Sequence, residues 1–252
     1  MTLIRFRISS LILFFHFISQ LLYAQVPTKQ DCLGAMPICQ NVYSVPTTST
    51  GSGNYQNEIQ AGGGTCLAPP GQNEVWYVFT VQASGNLSFL ITPNVSTADY
   101  DWQVFNITGK TCADIFTDPS LSVSCNSSGQ RGNTGPNGGS GLSTQGPGIG
   151  TPFNAVIPVL AGETYVINIE DWYATSGYTI NFSASTATIF DNVPPTLLSV
   201  DSVSCNAASL KFRFSERVLC NTVQDADFTL TGPGGQTLSG VTGQACAVGG
   251  TQ

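Results

Sequence analysis

The chain has 252 residues, 41% of them hydrophobic and only 9% charged, with 27 glycines, 14 prolines and eight cysteines, whereas a globular average is nearer a quarter charged. Few Lys, Glu and Leu beside many Thr, Ser, Gly, Val and Tyr argue against helices and for short strands joined by turns. With 15 acidic residues against eight basic ones the net charge is −7, which leaves no electrostatic footprint for nucleic acid or an anionic membrane.

Residues 1–24 read as a secretory signal peptide. Arg5 and Arg7 precede an apolar run from Ile8 to Leu22, and Ala24 supplies a small residue for cleavage before Gln25. The run is too short to anchor in a bilayer and no other segment could span one, so membrane insertion is not expected. Cys32 follows Lys29-Gln30-Asp31 rather than a small-residue lipobox. Cleavage removes Arg5, Arg7 and His16, leaving six basic residues against 15 acidic ones, a net charge of −9, and no histidine. A His-based general base, triad or metal ligand is therefore excluded from the mature chain.

Residues 25–50 open with QDCLGAMPICQN and pass into a Ser/Thr-rich stretch, and residues 51–73 read as loop, with Gly62-Gly63-Gly64 and Pro69-Pro70-Gly71. The first clear strand is Glu74 to Val81, apolar on both faces and hence expected to be covered on both. Asn86 to Thr92 and Asp101 to Ile107 follow as strands. Gly129 to Gly150 reads as a long mobile excursion, since it has neither the helix nor the Lys of a phosphate cradle. Phe153 to Val159 returns to strand pattern. Then come two runs, ETYVINIED (163–171) and GYTINFSA (177–184), in which Tyr165, Ile167, Ile169 and Tyr178, Ile180, Phe182 alternate with more polar neighbours. The alternation predicts one buried face, and Ser176-Gly177 between the runs predicts a hairpin.

A sheet with one apolar face needs a second sheet over it, so the expected fold is all-β, with residues 25–192 as an antiparallel, jelly-roll-like β-sandwich. Val193-Pro194-Pro195 reads as a linker. Beyond it the runs 197–203, 209–215, 227–232 and 238–241 predict the start of an Ig-like sandwich over residues 193–252. Such a sandwich needs nearer 100 residues, so the chain reads as a fragment of a longer protein.

All eight cysteines lie beyond the signal peptide, in a chain bound for an oxidising compartment, so disulfides are expected. Cys112 and Cys125 flank one loop and are expected to pair. Cys39 with Cys66 is the second expected bond, and Cys32 is left without a mate. Zinc has no support, because no Cys-x-x-Cys pair exists and no His can help.

Four blocks, QDCLGAMPICQN (30–41), NEVWYVFTVQASGNLSFLITP (73–93), ADYDWQVFNITGKTCADI (98–115) and VLAGETYVINIEDWYATSGYTINFS (159–183), cover most of residues 30–185. Together they resemble an N-terminal module of large secreted proteins of Bacteroidota, many of which end in a gliding-motility-associated domain and leave by the type IX secretion system. The last block also resembles the closing hairpin of the bacterial pre-peptidase C-terminal domain, a small jelly-roll-like sandwich. The tail, with Phe214-Ser215-Glu216, resembles a bacterial Ig-like domain. The resemblance implies a secreted or cell-surface adhesion or gliding role.

Two groups of residues are candidate sites. Asp99 and Asp101 stand two apart at the start of a strand, and Glu170 and Asp171 close another. Oxygen-rich strand ends suit Ca²⁺, which takes six to eight hard oxygen ligands; the alternative is a set of solvated turn carboxylates, or Asp side chains that cap loop amides. Trp172 and Tyr173, beside the turn, are candidates for stacking on a sugar, whereas Trp76, Tyr77, Tyr100 and Trp102 read as core. A cystine-tied sandwich without His favours a non-catalytic display module, its partners a cell-surface protein or glycan and other domains of the same chain. The alternatives are a carbohydrate-binding accessory module of a secreted hydrolase, and a protease appendage.

Overall fold

The computed structural model describes residues 27–55, 58–59, 65–190, 196–200, 210–214, 224–229 and 239–241. The expected signal peptide, the linker and Cys205, Cys220 and Cys246 lie outside them.

In chain order the strands are β1 (Met36–Pro37), β2 (Val42–Val45), β3 (Val75–Thr80), β4 (Gly85–Leu87), β5 (Leu90–Pro93) and β6 (Tyr100–Asn106). After a single helical turn, α1 (Cys112–Ile115), come β7 (Ser122–Ser128), β8 (Thr144–Gly148), β9 (Ile157–Val159), β10 (Thr164–Asp171) and β11 (Tyr178–Asn181). The fold is all-β. One layer is a six-stranded sheet in the order β1-β3-β10-β6-β7-β8, antiparallel at its centre and parallel at its two edge pairs. The facing layer holds the sheet β2-β11-β5 and the ribbon β4-β9.

The main core lies between these layers and follows the period of two. Tyr77 and Phe79 of β3, Ile167 and Ile169 of β10, and Trp102 and Val104 of β6 point inward. They meet Phe89, Ile91, Tyr178, Ile180 and Phe182 from the other side. Phe89 packs edge-on against Trp102 at 5.1 Å and against Phe182 at 5.6 Å. Each fully buried large apolar side chain stabilises the fold by roughly 1.5–3 kcal/mol.

β10 belongs to the large sheet and β11 to the small one, so the expected hairpin is instead a crossing between layers. The reason is steric and apolar: β10 has both faces buried and both edges taken by β3 and β6. The chain must leave the sheet at Asp171, and it lands between β2 and β5. Gly177 lets this happen, because a Cβ there would collide with the Val45 carbonyl of β2.

A second, smaller core covers the outer face of the large sheet. Trp76, Val166, Phe105 and Cys125 point into it and are covered by Cys32, Ala35, Ile59, Leu67, Cys112, Ile115 and Leu121. Two disulfides tie that cover down, Cys32–Cys112 and Cys66–Cys125. The expected pairs Cys112–Cys125 and Cys39–Cys66 do not form. Cys125 faces the loop around Cys66 from β7, whose amide donates to its sulfur at 3.0 Å. Meanwhile α1 turns Cys112 towards the turn that carries Cys32, and Cys39 is free and exposed. Proximity along the chain misled here, because the cover comes from residues far upstream. Closing loops of 80 and 59 residues stabilises by about 4 kcal/mol each on a chain-entropy account.

The expected strand Asn86–Thr92 breaks into β4 and β5 around Ser88, whose amide and carbonyl both bond the Ser185 hydroxyl. The Gly-rich stretch 129–150 is tied down at points: Thr144–Gly148 form β8 beside β7, and Thr134, Gly135 and Pro136 are buried, while most of its other residues are exposed. Thr134 is buried and accepts the Trp102 indole N–H at 2.9 Å. Buried Asn154 donates to the Ser124 hydroxyl and to the carbonyls of Cys125 and Ser143, and accepts from the Asn126 amide. Beyond the linker, β12 (Leu197–Val200) pairs antiparallel with β13 (Phe212–Phe214), and Phe228 stacks on Phe212 at 5.4 Å. Of the other two expected Ig-like strands, residues 227–229 and 239–241 are described and form no strand, Asp225–Asp227 being a 3-10 turn, and the rest lies outside the described residues.

Candidate functional site

The polar end of the large sheet carries the site. In register, Glu170 of β10 sits beside Asp101 of β6. One step beyond the paired stretch of β3 and β10, at Ile169 and Val75, Glu74 flanks Glu170 on the other side. Three carboxyl groups thus form one row across three strands, on the face that lower down carries Trp76, Asn168 and Gln103. All three are buried, Glu170 at 0%, Glu74 at 1% and Asp101 at 6% exposure. Asp99, two residues before Asp101 and likewise buried, extends the row towards solvent.

Their hydrogen bonding is uneven. Glu74 accepts from the Trp76 indole N–H at 3.0 Å and the Asn168 amide at 2.5 Å. Neither oxygen of Glu170 has a partner of ordinary geometry, and neither does Oδ1 of Asp99 or Oδ1 of Asp101. Only the Gln72 backbone amide, outside that geometry, favours the charge on Glu170. The electrostatic consequence is uniform in sign. Burial pushes Asp101 up to about 8, with Asp99 adding to it. Burial raises Glu74 to about 8 against the pull of its two hydrogen bonds. Glu170 is driven well above the usual carboxylate range by burial and then by Glu74 and Asp101. Asp99 is raised by burial, opposed by the Arg131 guanidinium.

Asp171 differs. It accepts from the amides of Tyr173, Thr175 and Ser176 and from the Thr175 hydroxyl. It organises the turn that leaves β10, which is the amide-capping alternative. Among the described residues no three acidic, histidine or cysteine side chains converge as a metal-binding group. Asp99, Asp101 and Glu170 are neighbours in the row, while Asp171 is spent on its own turn.

Above Asp99 and Asp101 opens a shallow cavity of about 360 Å³. Ser127 of β7, Pro147 and Gly148 of β8, and Trp172 and Tyr173 line it together with the two acids. Trp172 is 37% exposed and Tyr173 53%, whereas Trp76 and Trp102 are fully buried. The Asp171 turn presents these two rings, with Ala174 at φ 51° reversing the chain after them. Arg131, from the Gly-rich stretch, lays its guanidinium over the Tyr173 ring, 5.4 Å from the centroid. Sequence reading reached Asp99, Asp101, Glu170, Trp172 and Tyr173 but missed Glu74 and Arg131. The parity that puts Glu74 on the Trp76 face was visible; the pairing that sets it beside Glu170 was not.

The arrangement offers hydrogen-bond acceptors, protons held at neutral pH and flat aromatic faces. Among the described residues no helix is long and apolar enough to cross a membrane. No known protein family, curated protein or solved structure matches this chain.

Proposed function

We propose that this chain is a non-catalytic, exported interaction module of adhesive type, and that its contact face is the Trp172–Tyr173 end of the sandwich. The observation that carries the reading is the pair of half-exposed rings that line a cavity together with Asp99 and Asp101, while the other two tryptophans are fully buried. Large rigid aromatics beside polar groups are the usual anchors of binding surfaces. The two cystines, both holding the cover of the outer core, suit a protein that works outside the cell. The sequence resemblance to secreted Bacteroidota modules adds a cell-surface, gliding-associated setting. The residues beyond the linker fit further Ig-like domains that space this face from the cell.

The second reading, a carbohydrate-binding accessory module, draws on the same rings, since flat aromatic faces stack on sugars. One comparison separates the two. The full chain is screened on a glycan array and, on beads, for adhesion to intact cells, as wild type and as Trp172→Ala. Adhesion lost in the variant with no glycan signal supports the adhesive reading. A glycan signal lost in the variant favours the accessory module. Adhesion and array signals that ignore the substitution refute both.

A further inference from the structure

Segment 65–73 lies over the polar end of the large sheet as a strap, fastened at both ends. At one end Cys66 is bonded to Cys125 of β7, and the Thr65 hydroxyl donates to the Gln103 side-chain oxygen at 2.6 Å. At the other, the Asn73 amide donates to the Gly51 carbonyl and its side chain to the Asp171 carbonyl. Between these fastenings Pro69, Pro70 and Gln72 are exposed, while Leu67 and Gly71 are buried. The underside of the strap rests on the carboxyl row. A Cβ on Gly71 would stand 2.9 Å from both carboxyl oxygens of Glu74, and the Gln72 backbone amide acts on Glu170.

What lies beneath the strap cannot stay covered in every protonation state. Glu170 stands in register beside Asp101, and Glu74 flanks it from β3. Opposite positions on paired strands bring side chains to about 5 Å, and like charges buried at that spacing repel with little water to screen them. The row is therefore compatible with a closed strap only while it holds protons. The groups around it do not offset this. Asp31 and Glu58 of the cover act on Glu74, Asp99 acts on Asp101, and Asp171 acts on Asp99. The Arg131 guanidinium acts on Asp99, at the solvent end of the row. The direction is the same throughout the row: burial first, then these neighbours, pushes Glu74 and Asp101 up to about 8 and Glu170 well above the usual carboxylate range.

Water reaches the row most cheaply if the smallest piece of structure above it moves. β3, β6 and β10 are held in the core, whereas the strap between its fastenings buries one large apolar side chain, Leu67. We propose that residues 67–72 form a pH-governed flap, shut over the carboxyl row in acid and lifting as pH rises, hinged between the Cys66–Cys125 bond and Asn73. A hydrated carboxyl titrates near 4, and the covered ones titrate at about 8 or above. Between those values the covered state holds protons that the lifted state has released. Each such proton favours the lifted state about tenfold per pH unit, an advantage that levels off above about pH 8 as the covered acids ionise too. Leu67 and Ala68 line the cavity beside Trp172 and Tyr173, so lifting removes part of its wall. The flap does not depend on the contact face assigned above.

The test is amide hydrogen exchange of the full oxidised chain between pH 5 and pH 8, each rate divided by the unstructured-chain rate at that pH. It is read at Leu67 and Gly71, whose amides donate to the Thr65 hydroxyl and the Ala68 carbonyl when the flap is shut. The expected result is protection that falls about tenfold or more for each pH unit. At every pH it also stays at least about tenfold below the protection of β11, which marks a local opening rather than global unfolding. Glu170→Gln removes the central ionisation of the row and should shrink the total fall between pH 5 and pH 8 by about tenfold or more. Should that variant not fold, Asp101→Asn removes the neighbouring ionisation and gives the same reading. Protection at Leu67 and Gly71 that does not change with pH overturns the inference. So does protection equal to that of β11, since the strap would then open only with the whole sandwich. A wild-type pH dependence in the folded variant overturns it as well.

Discussion

Replacing Asp101 by Asn should make the protein more stable at neutral pH, although it alters a buried residue of the candidate site. An unfolded Asp titrates near 3.9, while burial and Asp99 hold folded Asp101 up at about 8. Between those values the folded state binds a proton that the unfolded state has released. The contribution of Asp101 to stability is therefore complete below about pH 4 and falls as pH rises towards about 8. The slope is at most about 1.4 kcal/mol per pH unit, so some 4 kcal/mol is lost by pH 7. Asn cannot ionise and escapes this loss. Its amide brings donors with no partner in place, a cost of roughly 1–2 kcal/mol. The net expectation is a gain of about 2 kcal/mol at pH 7, which vanishes or reverses by about 1 kcal/mol at pH 4. Urea denaturation of the oxidised wild type and variant at both pH values reads this directly. A difference that is the same at pH 4 and pH 7 would show that Asp101 carries no displaced titration and would refute the reasoning. Glu74 and Glu170 are shifted in the same direction, so wild-type stability itself should decline from acid to mildly alkaline pH.

Four further outcomes follow from the packing. Non-reducing peptide mapping should recover Cys32 joined to Cys112 and Cys66 joined to Cys125, with Cys39 open to alkylation. Cys32→Ser with Cys112→Ser should cost about 4 kcal/mol in oxidising buffer and almost nothing once wild type is also reduced. Asn154→Ala removes a fully buried side chain that makes four hydrogen bonds; it should destabilise by about 3 kcal/mol and speed amide exchange across 133–148 before the rest of the sheet. Trp172→Ala should lower the thermal midpoint by only a few degrees, because the side chain is already 37% exposed, and loss of adhesion by the still-folded variant then reports contact rather than unfolding.

The inner core was legible because it obeys a simple period: Tyr165, Ile167 and Ile169 alternate, and each meets an apolar partner across the sandwich. The doubly covered β3 was legible too, since Trp76 and Tyr77 are both large and stand on opposite faces. The outer core was not. Its cover is made of single residues such as Cys32, Ile59 and Leu67, scattered over loops with no period to detect. The hairpin expectation failed because a turn with Gly looks the same whether the chain folds back into its own sheet or crosses to the next. Only the apolar demand on both faces of β10 decides between them. In the Gly-rich stretch the glycines gave no sign of β8 or of the Thr134 anchor, because the partners that hold them, β7 and Trp102, lie upstream of it. At the site, Asp99 and Asp101 could be paired by their spacing alone. The Glu74–Glu170–Asp101 row is a property of strand order, which a linear reading does not contain.

The most direct measurement of the central claim is adhesion of bead-bound full-length chain to intact cells, with wild type compared against a Trp172→Ala, Tyr173→Ala double variant of matched thermal midpoint. The account predicts that the double variant binds no better than albumin-coated beads. Undiminished adhesion by a folded double variant would place the contact elsewhere on the molecule and contradict the assignment.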